Sequence, residues 1–305
     1  MNNKVDVCIN VFGKPWQTLC TLKTLMKHSG DKIDKIYLII ESTQPYNESL
    51  LWIFSYFDNL IIHTPNTYIF TKHHINNLDE SDRHTVRYQY GIEKSDKKFI
   101  FITHNDVLYT GDIIGDMLDK IGDSVGIGEM GQCWNCPAFS EGLCSGSKFY
   151  DWNPSIEEVL SLKLPHIRTG LHNIDRENPK PMPECRLNEW ACLINRELNN
   201  KETYPNGDTP FFGMYGLDLG DRWFKSLHLK GYKFTDYREN FKHSYWSPLD
   251  GGYPTQLNQD IYKIAEENAK KYFIEHFESK KKNKINELGW ENKKRDSNIF
   301  GSTGI

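Results

Sequence analysis

The chain has 305 residues, enough to bury a full core as one large domain or as one domain with an appendage. Its formal net charge of −4 gives no electrostatic case for binding bulk nucleic acid. No apolar stretch approaches the roughly 20 residues that span a bilayer, and the N-terminal residues lead into a strand with no signal-peptide core, so a soluble cytoplasmic protein is expected. Seven cysteines, an odd number, argue against a fully paired extracellular framework and for reduced thiols or a metal site.

Val5 to Val11 reads as a first buried strand, and the Gly-Lys-Pro loop after it leads to Leu19, Leu22, Leu25 and Met26 at helical spacing within Gln17 to His28. Lys35 to Ile40 is a second buried strand ending at Glu41. Leu50 to Phe57 reads as a helix and Asn59 to His63 as a third strand. Strand alternating with helix is the rhythm of a parallel, doubly wound sheet, and the α/β class is expected. A glycine-rich dinucleotide fingerprint is missing after the first strand, which argues against a nicotinamide-binding Rossmann domain.

Asp79 to Ser95 begins polar and continues as a helix with Val86, Tyr90 and Ile92 facing inward. Arg83, His84 and Arg87 lie close together on it. They are placed either to meet phosphates or to pair with Asp79, Glu80 and Asp82 on a solvated face. Phe99 to Thr103 is then an uninterrupted apolar run, as a strand buried on both faces reads. His104, Asn105 and Asp106 stand where it ends, and Gly111-Asp112 opens a short helix carrying Ile113, Ile114, Met117 and Leu118. Ligands of open α/β sheets bind beyond the carboxyl ends of the strands, which makes Asp106 the first candidate for a functional residue.

These residues carry a resemblance. The first 120 residues resemble the nucleotide-binding half of GT-A fold glycosyltransferases of the family-2 type, through Val11-Phe12-Gly13, Glu41, Arg87 with Gly91, and His104-Asn105-Asp106. In that family the last triplet is a D-x-D motif whose final acid holds the divalent cation on the diphosphate. Here its first aspartate is His104. The resemblance implies nucleotide-sugar contacts for Val11, Phe12, Glu41, Arg87, His104, Asn105 and Asp106, and Mn²⁺ or Mg²⁺ on Asp106. A hard cation with oxygen ligands stabilises the charge that grows on a leaving nucleoside diphosphate. The same triplet is also an ordinary turn after a strand.

Residues 122 to 206 match the family least and read as an insertion. Gly126 to Gly146 is glycine-rich and holds Cys133, Cys136 and Cys144, with Cys185 and Cys192 further on. Cys133-x-x-Cys136 fits two thiolates gripping one tetrahedral ion, and Cys144 with Cys185 would complete a structural zinc site. His166 and His172 are alternative fourth ligands, and buried thiols or a disulfide are the other readings. Leu164 to Cys185 is proline-rich and reads as a segment shaping the substrate site. Glu184 and Asn188-Glu189-Trp190 read as opening a helix through Leu193 to Leu198.

Phe211 to Trp246 carries a second resemblance, to the acceptor-side block of the same family. Its parts are Gly216-Leu217-Asp218 with Asp221, an aromatic helix through Trp223, Phe224 and Leu227, Gly231-Tyr232, a strand from Lys233 to Tyr237, and His243. Ile261 to Phe277 is similar to the helix that often closes such domains. The match implies a general base that deprotonates the acceptor hydroxyl for inverting attack, Asp218 first and Asp221 second. A helix N-cap and a first-turn acid are the structural uses of those two positions. His243 matches a second metal ligand or phosphate contact; a hydrogen-bonded strand-end histidine is the alternative.

The implied whole is a single GT-A domain over residues 1–278, with a nucleotide-sugar half (1–121), the insertion (122–206) and an acceptor half (207–278). It would act as a hexosyltransferase of polysaccharide biosynthesis, moving sugar from a nucleotide diphosphate to a hydroxyl on a glycan or lipid-linked acceptor. The rivals are an inactive carbohydrate-binding scaffold and a sugar nucleotidyltransferase. Residues 279–305 form a polar, basic tail, read as loosely ordered or as touching an anionic membrane surface at about 1 kcal/mol per basic residue.

Overall fold

A computed structural model describes residues 4–42, 44–47, 49–65, 79–131, 133–162, 173–249 and 257–278. His166, His172 and the basic tail lie outside the described residues. Among the described residues no helix is long and apolar enough to cross a membrane.

The architecture is α/β. A seven-stranded sheet runs in the order β3-β2-β1-β4-β7-β6-β8, with β1 Val5–Val11, β2 Ile33–Ile40, β3 Leu60–His63, β4 Phe99–Thr103, β6 Gly126–Met130, β7 Leu187–Asn195 and β8 Phe234–Asp236. Only β7 runs against its neighbours. A two-stranded ribbon pairs β5 (Val107–Tyr109) with β9 (Phe241–His243).

Residues of period two along β1 build both layers. Val5, Val7 and Ile9 pack on one face with Leu19, Leu22 and Leu25 of α1 (Pro15–Ser29). Ile113, Ile114 and Met117 of a second helix (Ile113–Lys120), and Ala269 and Phe273 of the closing helix (Gln259–Phe273), join that layer. Cys8 faces the other side, where Ile92 and the apolar Trp223, Phe224 and Leu227 of the helix Asp221–Leu229 gather. The short helix Gln89–Lys94 reaches β1 through Gly91, where an added Cβ would lie 2.6 Å from Cys8 Sγ. Gly91→Ala is therefore expected to cost about 1–3 kcal/mol in denaturant unfolding, the usual penalty for overpacking. A cost near zero would mean that the two elements separate easily.

Three expectations are corrected. Leu187–Asn195 is a strand, not a helix: all nine residues are buried between β4 and β6, and a strand covered on both faces shows no alternation to separate it from a helix. The helix begins only at Arg196, with Asn195 as its cap accepting from the Leu198 N–H. Gly126–Met130 is likewise a sheet strand, so the chain inserted between strands runs from 131 to 186. Asp79–Ser95 is two short helices, Glu80–Arg83 and Gln89–Lys94, separated by Tyr88 at φ +64°. Leu51–Tyr56 is helical as expected, in the 3₁₀ form.

Candidate active site

The site grows from the end of β4. Antiparallel pairing sets Thr103 opposite Ala191, so Glu189 and Trp190 of β7 run past the strand end beside His104, whose N–H donates to the Trp190 carbonyl. Immediately after Asp106 the chain enters β5, and the ribbon register puts Val107 opposite His243. Two long-range pairings thus bring His104, Asp106 and His243 together.

Their facing atoms form a small triangle. His104 Nδ1 lies 3.2 Å from His243 Nε2 and 3.9 Å from Asp106 Oδ1. His243 Nε2 lies 3.4 Å from the same oxygen. Such separations suit three donors sharing one ion at about 2.0–2.2 Å. Asp106 Oδ1 is buried and makes no hydrogen bond of good geometry, so the orphaned acceptor points into the triangle. Glu189 Oε1 lies 3.2 Å from His104 Nε2. A carboxylate behind a metal-ligating imidazole fixes the tautomer that leaves Nδ1 as an acceptor. The ring of Trp190 stacks on His243 with centroids 4.7 Å apart. The residues present fit a divalent cation.

Charge around the triangle is balanced by two buried cations. Lys14 Nζ lies 2.7 Å from Asp106 Oδ2, both side chains almost fully covered. Burial pushes the Asp106 pKa up, but Lys14 and His243 outweigh it and hold the carboxyl well below its usual range. Arg186 is buried between Asp218, at 2.6 Å, and Glu189, at 3.7 Å. Against the upward push of burial, Arg186 and His104 keep Glu189 ionised. Burial lowers the His104 pKa, which favours the neutral imidazole that a metal needs.

The donor-side residues line the same edge of the sheet. Glu41, past the end of β2, is buried and accepts from Asn10 Nδ2 at 3.0 Å, with Arg87 Nη2 at 3.7 Å. Burial raises its pKa, with Arg87 opposing. Val11 closes β1 within the core, and Phe12 stands half-exposed beyond it. Asn105 is committed to the protein: its Nδ2 donates to the Gly13 carbonyl at 3.0 Å and to Thr18 at 3.1 Å, tying the central loop to the start of α1. Arg83 and His84 pair with Glu93, at 2.8 and 3.2 Å, and His84 also lies 3.9 Å from Glu80, one of the three acids expected on a solvated face. Asp79 caps the short helix by accepting from the Asp82 N–H.

On the acceptor side Asp218 and Asp221 have different settings. Asp221 is buried and accepts from the N–H groups of Leu217, Asp218 and Arg222, which knots the loop before its helix. The N-cap there is Gly220, at φ +82°, so Asp218 is not the cap. Asp218 is partly exposed and joins the site through Arg186. The four cysteines expected to hold zinc are free thiols lining one cavity. No three of their sulfurs lie within 4.8 Å of one another.

Sequence reasoning missed Lys14, Arg186, Glu189 and Trp190. Lys14 offers one signal in retrospect: it sits between Gly13 and Pro15 and adopts φ +58°, a strained position for a side-chain-bearing residue of the kind that collects at functional sites.

No family model matches the chain, and no curated protein matches it. Solved structures similar to it include a mannosyltransferase from Pyrobaculum calidifontis in complex with GDP-mannose and Mn²⁺, at 10% identity and TM-score 0.43, covering 77% of this chain and 55% of that one. Core-mannan synthase A from Aspergillus fumigatus, in an Mn/GDP form, is similar at 11% identity and TM-score 0.41, covering 78% of this chain and 74% of that one. The galactosyltransferase LgtC, in complex with donor and acceptor sugar analogues, gives 11% identity and TM-score 0.35, covering 65% of this chain and 60% of that one. The chain thus spans just over half the length of the Pyrobaculum calidifontis mannosyltransferase.

Proposed function

We propose that the chain is a GT-A glycosyltransferase that moves a sugar from a nucleoside diphosphate to a hydroxyl acceptor with the help of a divalent cation. The observation that carries this reading is the His104–Asp106–His243 triangle at the carboxyl edge of the sheet, with an orphaned carboxylate oxygen aimed into it. In the proposal these three residues hold Mn²⁺ or Mg²⁺, which supplies Lewis-acid stabilisation of the departing diphosphate. Lys14 keeps Asp106 ionised and places a second positive charge beside the diphosphate. Glu41, Asn10 and Arg87 receive the nucleoside at the neighbouring strand ends. Asp218 is the base of an inverting reaction, since the Asp221 carboxylate is taken up by three backbone N–H groups of its own loop. A hexose donor and a glycan or lipid-linked acceptor complete the proposal.

The test is release of nucleoside diphosphate from a panel of UDP- and GDP-sugars with Mn²⁺, with Mg²⁺ and with EDTA. Cation-dependent release from at least one donor is expected. Binding without release would leave a carbohydrate-binding scaffold, and pyrophosphate release from a nucleoside triphosphate plus sugar phosphate would make the chain a nucleotidyltransferase.

A further inference from the structure

The chain that leaves β6 carries one large ring out to the surface beside the histidine triangle. Gly131, at φ +83°, turns the chain off the sheet, and the 3₁₀ turn Cys133–Asn135 follows. Backbone and side-chain hydrogen bonds anchor this turn at the entry to β7: the Gly131 N–H donates to the Arg186 carbonyl at 2.7 Å, and Asn188 Nδ2 donates to the Gly131 carbonyl at 3.0 Å. Trp134, in the middle of the turn, is 58% exposed, the most exposed Trp, Tyr or Phe among the described residues. Its ring nevertheless has a fixed place. It stacks on Trp190 with centroids 5.9 Å apart and planes 24° apart, and the buried Trp190 stacks in turn on His243. We propose that Trp134 is the platform on which a sugar ring of the acceptor lies, so that the accepting hydroxyl belongs to a saccharide. The inference rests on the transferase reading and names the acceptor class for it.

A single exposed aromatic residue is ordinary on a protein surface, and what surrounds this one gives it a role. Polar groups rim the stacked pair. Trp190 Nε1 donates to Glu129 Oε2 at 3.2 Å, and Glu129 Oε1 accepts from Arg238 Nη1 at 3.0 Å, both of those charged side chains being partly exposed. A pyranose offers a patch of C–H bonds on one face and hydroxyls around its edge. The flat indole suits the first, and a neighbouring carboxylate and guanidinium, an acceptor and a donor, suit the second.

The sheet order places this platform on the acceptor's side of the triangle. Glu41 follows β2, two places from β4 in one direction, whereas Trp190 lies on β7, next to β4 in the other direction, and Glu129 lies on β6 beyond it. A donor with its nucleoside at Glu41 and its diphosphate at the triangle therefore points its sugar toward β7 and β6, where Trp134 stands. The nucleobase is accounted for at the opposite end. A ring held two stacking contacts from His243 then brings the acceptor's hydroxyls up to the donor sugar, which is the positioning that an in-line transfer needs.

With UDP or GDP and Mn²⁺ present, saturation-transfer NMR and calorimetric titration against a panel of di- and trisaccharides of glucose, galactose, mannose and N-acetylglucosamine are expected to find at least one that binds. Trp134→Ala should weaken that binding about 10- to 100-fold, the effect of truncating a tryptophan at the centre of a binding surface. Trp134→Tyr keeps a flat ring and should retain most of the affinity. Mn²⁺-dependent affinity for the nucleotide reports whether Trp190 and His243 have moved, and it should hold in both variants. Equal saccharide binding by the wild type and Trp134→Ala would overturn the proposal, as would a wild type that binds no sugar of the panel. Nucleotide affinity lost in step with the saccharide would also overturn it, making Trp134 a base platform or a prop for His243. Turnover of a nucleotide sugar with saccharide binding indifferent to Trp134 would sink this inference alone. Saccharide binding that depends on Trp134 in a chain without turnover would uphold the platform while the transferase reading fell.

Discussion

Asp106→Asn is expected to lower the cation-dependent affinity for UDP or GDP by about 10²-fold or more, since it removes the only anionic member of the triangle. The same change leaves the Lys14 ammonium buried without its counter-charge at 2.7 Å, and stability should fall by about 3–5 kcal/mol. The two effects are separable. Lys14→Met combined with Asp106→Asn replaces the pair with neutral groups, so most of the lost stability should return while cation-dependent binding stays absent. Calorimetric titration with Mn²⁺ and with EDTA, beside urea unfolding of the wild type and the two variants, reads both terms. Equal weakening of nucleotide binding in EDTA would move Asp106 from the metal to the nucleotide or to the scaffold. Recovery of binding in the double variant would remove the carboxylate from the site altogether.

The sheet was legible in the sequence where a strand is an apolar run followed at once by polar turn residues. Phe99–Thr103 is of this kind and lies as expected, and Val5–Val11, with only Asp6 and Asn10 among its apolar residues, also lies as expected. Leu187–Asn195 is just as buried, but it carries Asn188, Glu189 and Asn195 within the run, and those polar residues mimic the start of a helix. Their reasons are tertiary: Asn188 donates to the carbonyls of Glu129 and Gly131, and Glu189 backs His104. Asp106 could be found from its place after a strand. His243 could be proposed only by resemblance, because its partner is set by a ribbon register joining residues 107 and 243. Arg186 has no local signature, and Lys14 only its place between Gly13 and Pro15; each is a cation whose meaning comes from a carboxylate far along the chain, 92 residues away for Lys14.

The acceptor-side expectation is that Asp218→Asn lowers nucleoside diphosphate release by about 10²–10⁴-fold, the range for loss of a general base, with kcat affected and Mn²⁺-dependent nucleotide affinity unchanged. Asp221→Asn should behave in the opposite way. Its carboxylate accepts three backbone N–H groups, and an amide oxygen cannot keep them all, so stability should fall by about 1–3 kcal/mol while turnover per folded molecule holds. The position of Asp218 adds a control. Its Oδ1 lies 2.6 Å from Arg186, which also faces Glu189 behind His104. If Asp218 acts only by holding that chain of charges in place, Asp218→Asn and Glu189→Gln should both weaken Mn²⁺-dependent nucleotide binding, and kcat should fall no further than binding does. If Asp218 takes the acceptor proton, Glu189→Gln alone weakens binding and Asp218→Asn alone removes turnover. Near-wild-type turnover in folded Asp218→Asn would take the base away from this loop.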